Sequence, residues 1–429
     1  MSAETLYCPE NIDLFKQKAL HWASLHKTAC YFDSNGYDDP YSAFDTLIAI
    51  DSRAELSATS GKAFAGLQSF LNSYNDWALG FFSYDLKNEL ENLESKNLDR
   101  LNFPDLFFFI PRHLLLIKGN EVRVLSNEGL ELVDKINAVI IEPTQAVNVD
   151  IETRLDRQAY IEKVNKLRQH ILRGDVYEVN FCQEFFAENV DINPVSVFSE
   201  LNRISPTPFA NFFKQGDRYI ISATPERFLS RRGQKLISQP IKGTATRCSD
   251  KDEDIRIREN LRNDPKERAE NVMIVDLVRN DLTKSAVPGT VRVEELLAIY
   301  SFRQVHQMIS TVVCEANPEL AITEVVKNTF PMGSMTGAPK IKAMELIEQF
   351  EETKRGIYSG AVGYFSPTGD FDFNVIIRTL LYNRNNKYLS FHTGSAITYD
   401  SDPIKEYEEC LLKAKAIFKV LGPSAAHSG

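Results

Sequence analysis

The chain of 429 residues has no CxxC pair, no long apolar run, no basic stripe and no low-complexity linker. Each absence excludes something. Its six cysteines (Cys8, Cys30, Cys182, Cys248, Cys314, Cys410) are scattered. In a chain of this size that predicts free thiols in a reducing, cytoplasmic setting. A bilayer span needs about 20 consecutive apolar residues, which no stretch approaches. The opening run Met1 to Phe15 carries Glu4, Glu10 and Asp13 and lacks an apolar centre, so it does not read as a secretory signal. The net charge is −10, spread along the chain, which argues against nucleic-acid binding. A small anionic substrate would therefore need local positive groups or a metal.

What is present is ordinary globular material, 43% apolar and 25% charged. The length allows two or three domains, although a large mixed fold can absorb it as one. Residues 1–150 read as a β-rich lobe contributing to the same fold, 151–422 as the core and 423–429 as a disordered tail. In the lobe, Leu47–Ile50, Leu79–Tyr84, Leu106–Ile110 and His113–Lys118 are apolar runs that predict buried strands. Asp85 to Arg100 reads as an exposed helix and loop. Beyond Asp156 helical periodicity appears, first over Arg157–Arg173 and ending at Gly174. Helices are predicted over Asp264–Leu282, Glu319–Asn328, Lys340–Glu351 and from Asp402 to about Val420. Tyr177–Phe186, Tyr219–Ala223, Gly360–Phe365, Phe373–Tyr382 and Tyr388–Thr393 read as strands. Strands mixed with helices, without strict alternation, predict an α+β fold.

Two predicted helices each carry an acidic pair three residues apart, Glu267 with Glu270 and Glu406 with Glu409. Such pairs share a helical face. Val272, Ile274 and Leu277 on the first helix, and Ile404, Leu411 and Phe418 on the second, form apolar stripes that could set the acidic faces opposite each other. Opposed carboxylates suit Mg²⁺; solvated faces are the plainer reading of either pair alone. Gly333-Ser-Met-Thr-Gly337-Ala-Pro-Lys340 places glycines ahead of a helix, where backbone N–H groups can hold an anion. Thr393-Gly394-Ser395 gives the same signal more weakly. Arg378, among aliphatics in a strand, could face solvent, pair with a carboxylate or clamp an anion. Lys242 lies at a strand end beside Gly243, where a lone lysine is usually a surface charge.

Taken together, these runs resemble the chorismate-utilising enzymes, whose branches include those that aminate chorismate at C2 or at C4. The resemblance rests on Pro240-Ile-Lys-Gly-Thr-Ala-Thr-Arg247, Glu267-Arg-Ala-Glu270 through Leu282, Pro331 through Lys340, Gly356 through Gly363, Phe373 through Thr379, and Thr393 through Thr398. They stand in the family's order over roughly 156–420. The N-terminal third matches more weakly, through Gly80-Phe-Phe-Ser-Tyr-Asp-Leu86. The resemblance implies a large two-sheet α/β sandwich with the site between the sheets. It implies Mg²⁺ on Glu270 and Glu409, with Glu267 and Glu406 beside them. It implies that Arg378 and Tyr358 bind the enolpyruvyl carboxylate and that Gly394 lies near the substrate carboxylates. Thr244 belongs to the same substrate-binding set, and His306 matches an active-site histidine. A dianion held by a metal and a bidentate arginine is physically sensible.

The branch turns on Lys242. The C2-aminating branch typically has alanine there, and the C4-aminating branch has lysine. Exchanging the C4 hydroxyl for an amine with retention is easier as two displacements. A neutral lysine amine adds at C2 as the hydroxyl leaves, and ammonia then adds at C4 and expels the lysine. Glu226 matches the general acid for the leaving hydroxyl. This expectation requires the pKa of Lys242 to be lowered by desolvation or a nearby cation. The water-adding branch places a lysine where this chain has Glu178, and the amine-adding branches place a glutamine there, so Glu178 departs from both. No glutaminase segment is visible, so the resemblance implies a separate glutamine amidotransferase subunit as ammonia source. The alternatives are C2 amination and an inactive binding paralogue; the retained carboxylates, Arg378 and Glu226 argue against the second.

Overall fold

The computed structural model describes residues 4–141 and 147–422; the expected tail 423–429 lies outside the described residues. Twenty strands among them form one continuous hydrogen-bonded network in which every pairing of named strands is antiparallel. The network has two arms joined at the long strands Thr46–Ala58 and Leu106–Lys118, which run side by side with a register shift between Ser52 and Ala54. From Thr46–Ala58 one arm passes through Thr28–Asp33, Phe209–Gln215, Arg218–Thr224, Thr379–Asn383 and Tyr388–Ile397 to Glu178–Ala187. From Leu106–Lys118 the other passes through Ala78–Phe82, Ala361–Phe365, Phe371–Val375, Arg227–Arg232 and Lys235–Gln239 to Val305–Glu315.

Side chains alternate across a strand, so each arm has two faces to bury. Phe213 and Ile220 from the first arm and Leu229, Leu236 and Phe373 from the second share one core, which places that core between the arms. Phe212, Ile221 and Leu380 join a second core under the helices Ile12–Ser24, Pro194–Ile204 and Pro403–Leu421. Phe212 and Phe213 are adjacent in sequence and belong to different cores, as a two-residue period demands. The result is the expected α+β sandwich of two sheets with helices outside. Strands of the first 150 residues pair directly with later ones, Thr28–Asp33 with Phe209–Gln215 and Ala78–Phe82 with Ala361–Phe365.

Several sequence expectations need correction. Leu106–Ile110 and His113–Lys118 are one strand, because its two halves serve different neighbours. Asp85 to Lys87 are buried, since they seat the short helical turn after strand Ala78–Phe82. The predicted strand Phe373–Tyr382 breaks at residues 376–378, where Arg378 takes φ +51. Among the described residues, no helix is long and apolar enough to cross a membrane. All six cysteines are free.

Candidate active site

The site begins with a kink in one strand. Strand Ile241–Thr246 pairs with Val305–Glu315, but its register shifts between Ile241 and Thr244. The extra residue is Gly243, at φ +91, which favours glycine. Such a bulge re-aims side chains. Lys242 is buried, whereas Thr244 beyond the bulge is exposed. A Cβ on Gly243 would stand 3.1 Å from Glu267 Oε2, so the acidic helix Pro265–Thr283 lies directly on this bulge. Asn271 of the same helix fixes the contact: its side-chain amide donates to Met308 O at 3.2 Å, and its Oδ1 accepts from Ser310 Oγ at 2.6 Å.

Lys242 is no surface charge. Its Nζ donates to Glu178 Oε1 at 2.8 Å, and the Glu178 side chain has no solvent exposure. Burial pulls the lysine pKa down, but the carboxylates of Glu178, Glu270 and Glu226 outweigh burial and raise it above the ordinary lysine value. The expected lowering is therefore corrected. Glu178 is paired with the ammonium directly and Glu270 and Glu226 add to its field, which favours the protonated lysine at rest. Among the described residues Glu178 Oε2 is buried and accepts no hydrogen bond.

Glu226 lies at the corner between strands Arg218–Thr224 and Arg227–Arg232. Burial pushes its carboxyl up to about 7, against opposing pulls from Ser334, the Lys242 charge and the Ile241 amide. Ser334 Oγ donates to Glu226 Oε1 at 2.6 Å. This is a buried carboxyl poised to carry a proton near neutrality, one hydrogen bond from the glycine-rich run.

The acidic helices do face each other. Lys266 of Pro265–Thr283 reaches Glu406 of Pro403–Leu421 at 3.3 Å and its own helix's Glu270 at 3.7 Å. Glu270 and Glu406 are buried, Glu267 and Glu409 only half-buried. The stripe that buries them differs from the expected one. Val272 and Ile404 are exposed; Ile274, Val278 and Leu282 continue from Glu270, and Cys410, Ala414, Ile417 and Leu421 continue from Glu406. Burial pushes Glu270 up to about 7 despite Lys242. Burial and the charge of Glu409 also raise Glu267. Burial acts the same way on Glu409, but Lys413, 2.6 Å away, wins and lowers it.

Among the described residues no three potential ligands already converge as a metal cluster. The donor chemistry nonetheless fits a hard divalent cation. Glu270 Oε1 and Glu406 Oε2 are buried without a hydrogen bond among the described residues, and a lysine ammonium already bridges their two carboxylates.

Arg378 occupies the corner after strand Phe371–Val375 and makes no side-chain hydrogen bond or salt bridge among the described residues. Burial lowers its pKa, while Tyr358 and Glu409 push the other way, which places it in the field of both. Among the described residues its guanidinium forms no ion pair, which suits an anion clamp. Tyr358 is buried, stacked on His392 at 5.0 Å, with its hydroxyl 3.4 Å from Cys182 Sγ. Gly394 is not in a turn. It lies inside strand Tyr388–Ile397 opposite Cys182, where a Cβ would collide with Phe181 O and Cys182 Sγ. Its carbonyl accepts from Lys413 Nζ at 2.7 Å. His306 is buried with both ring nitrogens engaged, Nε2 by Asp254 at 3.1 Å and Nδ1 by Ser301 at 2.8 Å. The structure thus groups Lys242, Glu178, Glu226, Glu270, Glu267, Glu409 and Arg378, and leaves Thr244 on an exposed strand and His306 in its own network.

Sequence reasoning missed Lys266, Lys413 and the buried pair Arg355–Glu351. Arg355 bonds Glu351 at 2.6 Å, Asn180 O at 2.7 Å and Met335 O at 2.6 Å, tying the Glu178 strand to the glycine-rich run. Its i,i+4 spacing is the one signal that pointed there.

Comparison with known proteins gives the family of the chain. Residues 17–419 match the model of the chorismate binding enzyme family. The chain is 31% identical over 419 residues to aminodeoxychorismate synthase component 1 of Escherichia coli (strain K12), covering 90% of this chain and 92% of that one. It is 32% identical over 345 residues to anthranilate synthase component 1 of Saccharolobus solfataricus, covering 80% of each. The crystal structure of anthranilate synthase component I from Streptococcus pneumoniae TIGR4 superposes with a TM-score of 0.76 at 27% identity, over 88% of this chain and 93% of that one. With a family match over nearly its whole length and relatives above 30% identity, the chain belongs to the chorismate binding enzymes.

Proposed function

We propose that this enzyme aminates chorismate at C4, giving 4-amino-4-deoxychorismate, through a covalent adduct on Lys242. The observation that carries the reading is the buried Lys242 and the buried Glu226, near enough for the charge of each to act on the other, a candidate nucleophile and a protonatable acid. Lys242 attacks C2 while Glu226 protonates the departing C4 hydroxyl; ammonia then enters at C4 and the lysine leaves. Arg378 is the clamp for one substrate carboxylate, with Tyr358 packed nearby. Mg²⁺, held by Glu270 and Glu409 with Glu267 and Glu406 beside them, would bind the other carboxylate and stabilise charge developing there. Lys266 must swing away from Glu406 and Glu270 for that. The name of the E. coli relative, a component 1, supports a second component for this chain, and we assign it the glutamine amidotransferase role. Folate-type precursor synthesis in the cytoplasm follows from this reading.

The test is a mass measurement. Incubation with chorismate and Mg²⁺ without ammonia should leave the peptide containing Lys242 heavier by chorismate less one water. Unmodified Lys242 in an enzyme that then makes the 4-amino product would contradict the covalent route.

A further inference from the structure

Lys242 is protonated at rest, and an ammonium has no lone pair with which to attack carbon. Its proton must go somewhere. Among the described residues, the hydrogen-bond acceptor of Lys242 Nζ is Glu178 Oε1, at 2.8 Å. Glu178 is completely buried, and its second oxygen has no hydrogen-bond partner among the described residues. The other carboxylates facing the lysine are committed elsewhere. Glu226 is bonded by Ser334 and must itself carry a proton for the leaving hydroxyl. Glu270 and Glu409 belong to the two acidic helices, next to Lys266 and Lys413.

We infer that Glu178 is the catalytic proton acceptor for Lys242, taking one Nζ proton so that the freed amine can attack the substrate. This rests on the C4-amination reading. The step balances. One proton passes from Nζ to the Glu178 carboxylate, and the nitrogen lone pair forms the Nζ–C2 bond. The C1=C2 pair moves to C1–C6, the C5=C6 pair moves to C4–C5, and the C4–O pair leaves on oxygen, which takes the Glu226 proton and departs as water. In the second half ammonia bonds to C4, the electron shifts reverse, the C2–Nζ bond breaks, and Lys242 recovers its proton from Glu178. The new C4 ammonium returns a proton to Glu226. Because Lys242 and Glu178 exchange a proton between themselves, their part of the reaction needs no change in the number of bound protons.

That conservation gives the test. Wild type, E178Q and E178D are assayed for chorismate consumption with Mg²⁺ and ammonium from pH 6 to pH 8. In E178Q the lysine must lose its proton to solvent, so its rate should be lower by about 100-fold or more at pH 7. The wild-type to E178Q rate ratio should fall about tenfold for each pH unit, since one hydroxide replaces the missing carboxylate. E178D keeps a carboxylate, and its ratio to wild type should not vary with pH. A glutamate that only supports the fold would give a pH-independent E178Q ratio, and that outcome overturns the inference. So does an E178Q enzyme as fast as wild type, or an E178D ratio that falls with pH as the glutamine one does. The product made by wild type judges the C4 reading separately: a 4-amino product with a pH-independent E178Q ratio overturns the Glu178 assignment alone, whereas a 2-amino product overturns the C4 reading itself.

Discussion

Lys242→Ala is expected to stop formation of the 4-amino product, lowering it on the order of 10³-fold or more, as removal of a covalent nucleophile does. Chorismate should still bind, because Arg378 and the acidic helices are untouched. The same substitution should weaken the fold. It leaves the Glu178 carboxylate with no solvent and no cation, and breaking a buried pair from one side costs about 3–5 kcal/mol. Urea denaturation at neutral pH measures that loss. Adding E178Q should recover most of it, since no charge is then stranded; a double variant no more stable than the single one would contradict the pairing. An alanine variant with unchanged 4-amino output would remove Lys242 from the mechanism.

Glu226→Gln should be the second large effect. Glutamine keeps the shape and can still accept from Ser334, but it has no proton to give. A loss of about 10²–10⁴-fold in turnover is expected, with little change in chorismate affinity. The pH dependence carries a sign. Burial pushes the Glu226 carboxyl up to about 7, and the acid form is the working one. Wild-type turnover should therefore fall as pH rises through about 7, and the residual rate of the glutamine variant should lack that limb. Ammonium-saturated rates from pH 5.5 to 9 measure it. A limb that survives in the variant would assign the titration to another group.

Much of this site was legible because its chemistry is concentrated in short runs. Glu267 and Glu270, Glu406 and Glu409, and the lysine of Pro-Ile-Lys-Gly-Thr are fixed by local spacing. What was not legible depended on contacts distant in the chain. Lys242 and Glu178 are 64 residues apart, and nothing local announces that a bulge at Gly243 turns one towards the other. The lysine's charge state followed from that contact and reversed the expected pKa shift. Arg378 looked like a strand residue because its neighbours are aliphatic, yet it occupies a left-handed corner between two strands. Gly394 looked like a turn and is a close approach of two strands, since both uses exclude a side chain. In the fold, apolar runs marked the buried strands. Their extents were misjudged where one strand serves two neighbours, as Leu106–Lys118 does.

The relatives above 30% identity include both component 1 of an aminodeoxychorismate synthase and component 1 of an anthranilate synthase. Family membership alone therefore does not choose the carbon. In the reading proposed above, Lys242 and its carboxylates do. The direct measurement is the product formed from chorismate, Mg²⁺ and ammonium, followed by addition of a lyase that releases pyruvate from 4-amino-4-deoxychorismate. The account predicts 4-aminobenzoate. Anthranilate in its place would contradict it.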